Sequence, residues 1–148
     1  MTSSFEIETH ADVPAEALFD ASLDIGAHVD SMRGTGERAI GGVTTGRIGL
    51  GETVTWRAWH FGIPFRMTSR VTALDRPRRF VDEQVAGPFR IFQHEHLYLE
   101  RDGVTIMTDR VTLASPVFGL LAERVVLVPY LRRLLTRRGR HLVASVTR

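Results

Sequence analysis

The sequence predicts an α+β fold in which a curved antiparallel β-sheet wraps around a long C-terminal helix, with two short helices near the N-terminus. Residues 52 to 113 form runs of alternating apolar and polar residues separated by turn signals, the mark of successive antiparallel strands. From residue 116 onward the apolar spacing becomes three and four, the helical period. A long antiparallel sheet has one face to bury, and this helix is the element available to bury it, so the sheet must curl around it. The chain has 148 residues, 43% of them hydrophobic and 24% charged, which supports a single domain over residues 1–148 and excludes disorder.

Phe5 to His10 alternates at period two and reads as a short strand. Pro14 suits the first turn of a helix, where its missing N–H would have no partner. A second short helix covers about Leu23 to Met32, with Ser22 or Asp24 as its cap. Residues 34–51 hold seven glycines but match neither G-x-x-x-x-G-K-[ST] nor G-x-G-x-x-G between a clear strand and a helix. They read as a turn plus a bent strand. Strands follow over Thr53 to Phe61, Phe65 to Ala73 and Phe80 to Val85, with turns at Gly62-Ile63-Pro64, Asp75 to Arg78 and Ala86-Gly87-Pro88. Arg90 to Glu100 and Val104 to Leu113 form a hairpin around Asp102-Gly103, a favoured two-residue loop.

Beyond Pro116, Val117, Leu121, Val125, Val128, Leu131, Leu135, Leu142 and Val146 mark an apolar stripe, while Arg124, Arg132, Arg133, Arg137 and Arg138 fill the other surface. Pro129 is expected to kink this helix and Gly139 to loosen its last turns.

The absence of cysteine excludes disulfides, thiolate nucleophiles and Cys-ligated metal. All 19 basic residues are arginine, which excludes a Schiff-base or P-loop lysine. No G-x-S-x-G elbow or H-E-x-x-H helix appears, and no cofactor is expected. The net charge is only +2 despite a pI of 9.9, and no nucleic-acid motif accompanies the arginines, so nucleic acid is not an expected partner. The basic C-terminal helix reads as a solvated face, with transient membrane contact as the alternative. With no apolar stretch of signal-peptide type near its N-terminus, the chain reads as cytoplasmic. The oligomeric state is left open.

One segment carries a denser pattern: F-x-D-x-Q over Phe80, Asp82 and Gln84, then Gly87-Pro88-Phe89, Phe92, an H-x-H pair at His94 and His96, and later Thr105 and Asp109. Together with the element order, this resembles the START/polyketide-cyclase (SRPBCC) superfamily, whose helix-grip fold includes birch-pollen-allergen relatives. The resemblance covers nearly the whole chain, and it departs in having Phe92 where tryptophan often precedes the histidine pair. It implies an internal cavity for a hydrophobic small molecule, lipid or polyketide-like, and it allows both carriers and cyclase/dehydratases.

With a two-residue loop at Asp102-Gly103, residues whose numbers sum to 205 face each other, so His96 opposes Asp109, Tyr98 opposes Met107 and His94 opposes Val111. His94 and His96 share a face, and the family pattern implies that it points inward. Whether Asp82 and Gln84 join it depends on the Gly87-Pro88 turn. Candidate pocket residues are Trp56, Met67, Phe92, Tyr98 and Met107 on the sheet and Leu121 and Val125 on the helix, with core packing as the alternative for each.

Three readings of His94, His96 and Asp109 stay open. They form a buried hydrogen-bonded network that fixes the sheet. They form the polar end of a ligand pocket, in which Asp109 orients His96 as a general acid/base for cyclisation or dehydration. Or they form a two-histidine, one-carboxylate metal site. Gly87, His94, His96, Glu100 and Gly103 also approximate a first cupin motif, but the second motif is missing and His141 lies in the C-terminal helix.

Overall fold

The structure is a computed structural model that describes residues 2–115 and 119–147. Strand β1 (Ser3–Ala11) leads to helices α1 (Ala15–Leu23) and α2 (Ile25–Ser31), followed by a 3-10 turn at Arg33–Thr35. Strands β2 (Arg38–Gly42), β3 (Thr53–His60), β4 (Ile63–Asp75), β5 (Arg79–Ala86), β6 (Ile91–Arg101) and β7 (Val104–Ala114) follow. The C-terminal helical segment comprises α3 (Gly119–Ala122), a π-turn (Glu123–Leu127) and α4 (Val128–Val146). Pro116 and Val117, where the helical pattern was expected to begin, lie outside the described residues. Among the described residues no helix is long and apolar enough to cross a membrane.

The strands form one antiparallel seven-stranded sheet in the order β1-β7-β6-β5-β4-β3-β2. Its inner face curls around α4, and α1 and α2 close one end. Core packing joins Leu18, Phe19, Phe80, Tyr98, Met107 and Leu142, while a second cluster unites Phe5, Ile7, Val111, Leu113 and Leu135.

Local chemistry accounts for the boundaries. The Pro14 carbonyl accepts the first backbone hydrogen bonds of α1, from Ala17 and Leu18. Asp24 caps α2 by accepting from the Ala27 amide at 2.9 Å, whereas Ser22 donates back to the Leu18 carbonyl at 2.8 Å. In the glycine-rich stretch, Gly42 has φ +67°, and a Cβ there would lie 2.2 Å from the Thr53 carbonyl oxygen. The β3–β4 turn is tighter than expected. His60 pairs with Ile63 and Trp59 with Pro64, so Phe61-Gly62 is the loop and Ile63 and Pro64 already belong to β4.

The C-terminal helix corrects the sequence reading twice. Its irregularity precedes Pro129 and takes the form of the Glu123–Leu127 π-turn. Pro129 cannot donate to the carbonyl four residues back, at Val125, and its ring crowds that carbonyl; the wider turn falls at this mismatch. Buried Glu123 accepts hydrogen bonds from the Ser3 hydroxyl and the Ser115 amide, which ties the turn to the ends of β1 and β7. Gly139 does not loosen α4. It is buried, and a Cβ there would lie 2.4 Å from Thr9 Oγ1, so glycine lets α4 approach β1 closely.

Candidate functional site

The β6–β7 ladder obeys the sum of 205 throughout, from Ile91 opposite Ala114 to Arg101 opposite Val104. Asp102 and Gly103 supply the two positive φ angles, +53° and +78°, that a twist-matched hairpin loop requires. This register sets His94, His96 and Asp109 on the inner face, all buried. In the next ladder Asp82 pairs with His94 and Phe80 with His96, so Asp82 belongs to the same face.

The side chains pair differently from the backbone. His94 Nε2 lies 2.8 Å from Asp109 Oδ1, and His96 Nε2 lies 2.7 Å from Asp82 Oδ2. Nδ1 of His96 comes within 3.3 Å of Asp109 Oδ1 but makes no hydrogen bond. The expectation that Asp109 orients His96 is therefore corrected: Asp109 holds His94, and Asp82 holds His96. The rings explain the diagonal. His94 stacks on His96 at 3.8 Å between centroids, and His96 stacks on Phe80 at 3.9 Å and 11°, so the three rings form one stack, from which the two imidazoles aim their Nε2 atoms at different carboxylates.

Arg138 completes the cluster. The sequence reading placed it on the solvated face, yet it is buried, with Nη1 3.3 Å from Asp109 Oδ1. The π-turn accounts for the difference. One wide turn rotates the stripe that follows, so Leu131, Leu135, Arg138 and Leu142 face the sheet while Leu121 and Val125 are 78% and 63% exposed. Leu121 and Val125 therefore do not line the cavity. A signal for Arg138 was available, since its spacing from Leu135 and Leu142 is three and four.

Burial by itself would raise the pKa of Asp109. The hydrogen bond from His94 and the positive charge of Arg138 outweigh it and hold Asp109 far below the usual carboxylate range. Asp82 is balanced the same way, burial against the His96 hydrogen bond and neighbouring positive charge, and is also lowered. Burial, then the charge of His96, pushes His94 below its ordinary value against the pull of Asp109. His94 is thus neutral at pH 7 beside two ionised carboxylates. These can only accept, so each imidazole donates from Nε2. For His94, Nδ1 remains as the nitrogen that can accept from a molecule in the cavity.

The cavity between the sheet and α4 has a volume of about 610 Å³, and its walls are mainly apolar. Trp56, Met67, Asp82, Phe92, His94, His96 and Arg138 line it. Tyr98 and Met107 are buried behind the wall: Tyr98 packs edge-on against Phe19 and Phe80, and Met107 meets the Ser22 hydroxyl. Burial raises the Tyr98 phenol pKa. Gln84 closes the β5–β6 turn, donating to the Phe89 carbonyl and accepting from its amide. Two further polar pairs in the wall had no sequence signal. His28 bonds to Glu37 at 2.7 Å and stacks on Trp56, and His60 bonds to the Tyr130 hydroxyl at 2.7 Å.

Asp82, His94 and His96 each offer one ligating atom within 4.8 Å of the others, a set able to hold a metal ion. Both Nε2 atoms are already engaged by carboxylates, however, and Arg138 already supplies a cationic group beside Asp109.

No family model and no curated protein matches the sequence. Solved structures do. The ZhuI aromatase/cyclase from Streptomyces sp. R1128 superposes with a TM-score of 0.80 at 16% identity, covering 100% of this chain and 95% of that one. The chain has the helix-grip fold. Two further helix-grip structures are similar over nearly their full length. TTHA0849 from Thermus thermophilus has a TM-score of 0.75 at 17% identity and covers 97% of this chain and 99% of that one. Ara h 8.0201 has a TM-score of 0.73 at 15% identity and covers 99% of each. This is the fold that the resemblance to the START/polyketide-cyclase superfamily implied. At these identities the likeness is one of fold, and a fold does not by itself set an activity.

Proposed function

We propose that this helix-grip protein binds a hydrophobic small molecule, lipid or polyketide-like, in the cavity between sheet and α4, with the His94–His96–Asp82–Arg138 cluster as the polar wall that orients it. The observation that carries this reading is the cavity itself: about 610 Å³, apolar on most sides, with convergent polar groups at one place. That combination is what a small-molecule site requires. It agrees with the nature of the fold's neighbours, one of which is an aromatase/cyclase.

A titration with the apolar fluorophore 1-anilinonaphthalene-8-sulfonate tests it. Saturable binding at a single site is expected. Met67→Trp, which fills the cavity from β4, should weaken it at least tenfold with the far-UV spectrum unchanged. Equal binding by the variant would place the dye elsewhere and remove the support for the cavity.

The Asp109–His94 pair favours a second reading, a cyclase/dehydratase. A buried carboxylate holds a neutral imidazole whose other nitrogen can accept from the cavity, the arrangement of an oriented general base. For a carrier, His94→Gln leaves ligand binding within a few-fold of wild type. For an enzyme it abolishes turnover of a poly-keto substrate, and His96→Gln reports separately on the Asp82 side.

A further inference from the structure

The β3–β4 hairpin displays side chains to solvent that core packing does not explain. Its loop is Phe61-Gly62, and Phe61 sits at φ +54°. Glycine, asparagine and aspartate tolerate that region, and a bulky aromatic there is strained. The other two-residue hairpin loop of the sheet has the ordinary Asp102-Gly103. The strained residue is also 60% exposed, as are its neighbours Trp59 at 51% and Ile63 at 54%. Strain that displays an aromatic side chain to solvent is a pointer to function.

The outer face of the same strands adds charge. Arg38 on β2 pairs in register with Arg57 on β3, which pairs with Arg66 on β4. These arginines point away from the cavity, because their neighbours Trp56, Ala58, Phe65 and Met67 line it. Like charges directly opposite each other destabilise a sheet. Among the described residues no carboxylate pairs with any of the three, although Arg79 and Arg110 elsewhere on the sheet do find partners. Trp59 extends this row toward the tip on the same face.

The tip also borders the cavity entrance. Phe61 and Ile63 line the cavity while remaining more than half exposed, and Phe61 packs on Tyr130 of α4 at 4.5 Å between centroids. Val126, in the π-turn, is likewise both exposed and part of the cavity wall.

We infer that the β3–β4 hairpin docks the protein onto an anionic lipid surface, with Trp59, Phe61 and Ile63 entering the interface and Arg38, Arg57 and Arg66 meeting the headgroups. Exposed tryptophan and aliphatic side chains bordered by arginine suit the boundary between headgroups and acyl chains. Docking in this orientation sets the cavity mouth against the bilayer, so an apolar molecule need not cross water to enter. The inference stands whatever the cavity holds.

Co-sedimentation with vesicles of phosphatidylcholine, alone or mixed with phosphatidylglycerol, tests it. Binding is expected only to the phosphatidylglycerol vesicles and should weaken as salt is raised. Each Arg→Gln change should lower the partition roughly fivefold, and R38Q, R57Q and R66Q together roughly a hundredfold. Phe61→Gly separates folding from docking. Glycine relieves the strained φ, so the variant folds at least as well as wild type, and it should still lose most vesicle binding. In a Trp56→Phe background Trp59 is the only tryptophan, and its emission should shift to the blue on anionic vesicles. Protein remaining in the supernatant with both vesicle types, including the case in which it instead binds an RNA oligonucleotide, overturns the inference. So does undiminished vesicle binding by Phe61→Gly, or unchanged Trp59 emission on binding.

Discussion

Asp109 accepts its hydrogen bond from His94 and not from His96, the residue directly opposite it in the β6–β7 ladder. The backbone register brings His96 and Asp109 together, but ring stacking and the second carboxylate, Asp82, decide which imidazole each acid holds. The result is two crossed acid–imidazole pairs with Arg138 beside Asp109, at one wall of an apolar cavity.

Asp109 is therefore the electrostatic centre of the fold as well as of the site. Asp109→Asn leaves Arg138 buried without its charge partner, and breaking a buried pair in this way costs about 3–5 kcal/mol. Thermal melts should show Tm falling by roughly 6–20 °C. Arg138→Met should cost less than Asp109→Asn, and the double variant should fall short of the sum, because the residues are coupled. Tyr98→Phe is the control. The Tyr98 hydroxyl is buried with no hydrogen-bond partner of good geometry, so its removal should not lower Tm.

Stability should fall with acid in two windows. His94 and His60 have pKa values lowered by burial, so the unfolded chain binds their protons more readily. Their contribution is complete above the ordinary histidine value of 6.5 and is lost as pH falls below it. Asp82 and Asp109 are also lowered, but as acids their contribution is complete above 3.8 and is lost as pH falls further. Urea midpoints should be flat above pH 7, decline below it and drop more steeply below pH 4. In His94→Gln the first decline should shrink.

Close packing at Gly139 gives a test of how α4 docks on the sheet. Gly139→Ala drives a methyl group into Thr9 Oγ1 and should destabilise by about 1–3 kcal/mol. Thr9→Ala removes the obstructing atoms and should recover most of that loss in the double variant. Denaturant titration of the four proteins decides it, and no recovery would mean that the helix rests on other contacts.

Val125→Ser should leave ligand retention unchanged, because Val125 points to solvent. Leu135→Ser, one helical face away and part of the wall, should reduce it at least tenfold. Native mass spectrometry of the purified variants reads both.

Most of the sheet was legible in the sequence because period-two alternation and a hairpin loop fix register by themselves. Asp102-Gly103 located each pair on β6 and β7, and Asp82 followed once the β5–β6 pairing was known. The helix side was less legible. A stripe read at constant period through residues 121 to 146 misses the extra residue of the π-turn, so Leu121 and Val125 were assigned inward and Arg138 outward. The crossed hydrogen bonds were also beyond sequence reasoning, since register fixes which Cβ atoms are neighbours but not which ring nitrogen reaches which oxygen. His60–Tyr130 joins residues 70 apart, and His28–Glu37 spans a turn with no periodic pattern, so neither left a local signal to read.

The most direct test of the account is a native mass spectrum of freshly purified protein beside its denatured mass. A cavity of about 610 Å³ should carry an organic molecule on the order of a few hundred daltons, present in the native spectrum and absent from the denatured one. The bare chain mass in both spectra, unchanged after incubation with a lipid extract, would contradict a ligand-binding protein. A metal-sized increment alone would contradict it as well, and would assign Asp82, His94 and His96 to an ion instead.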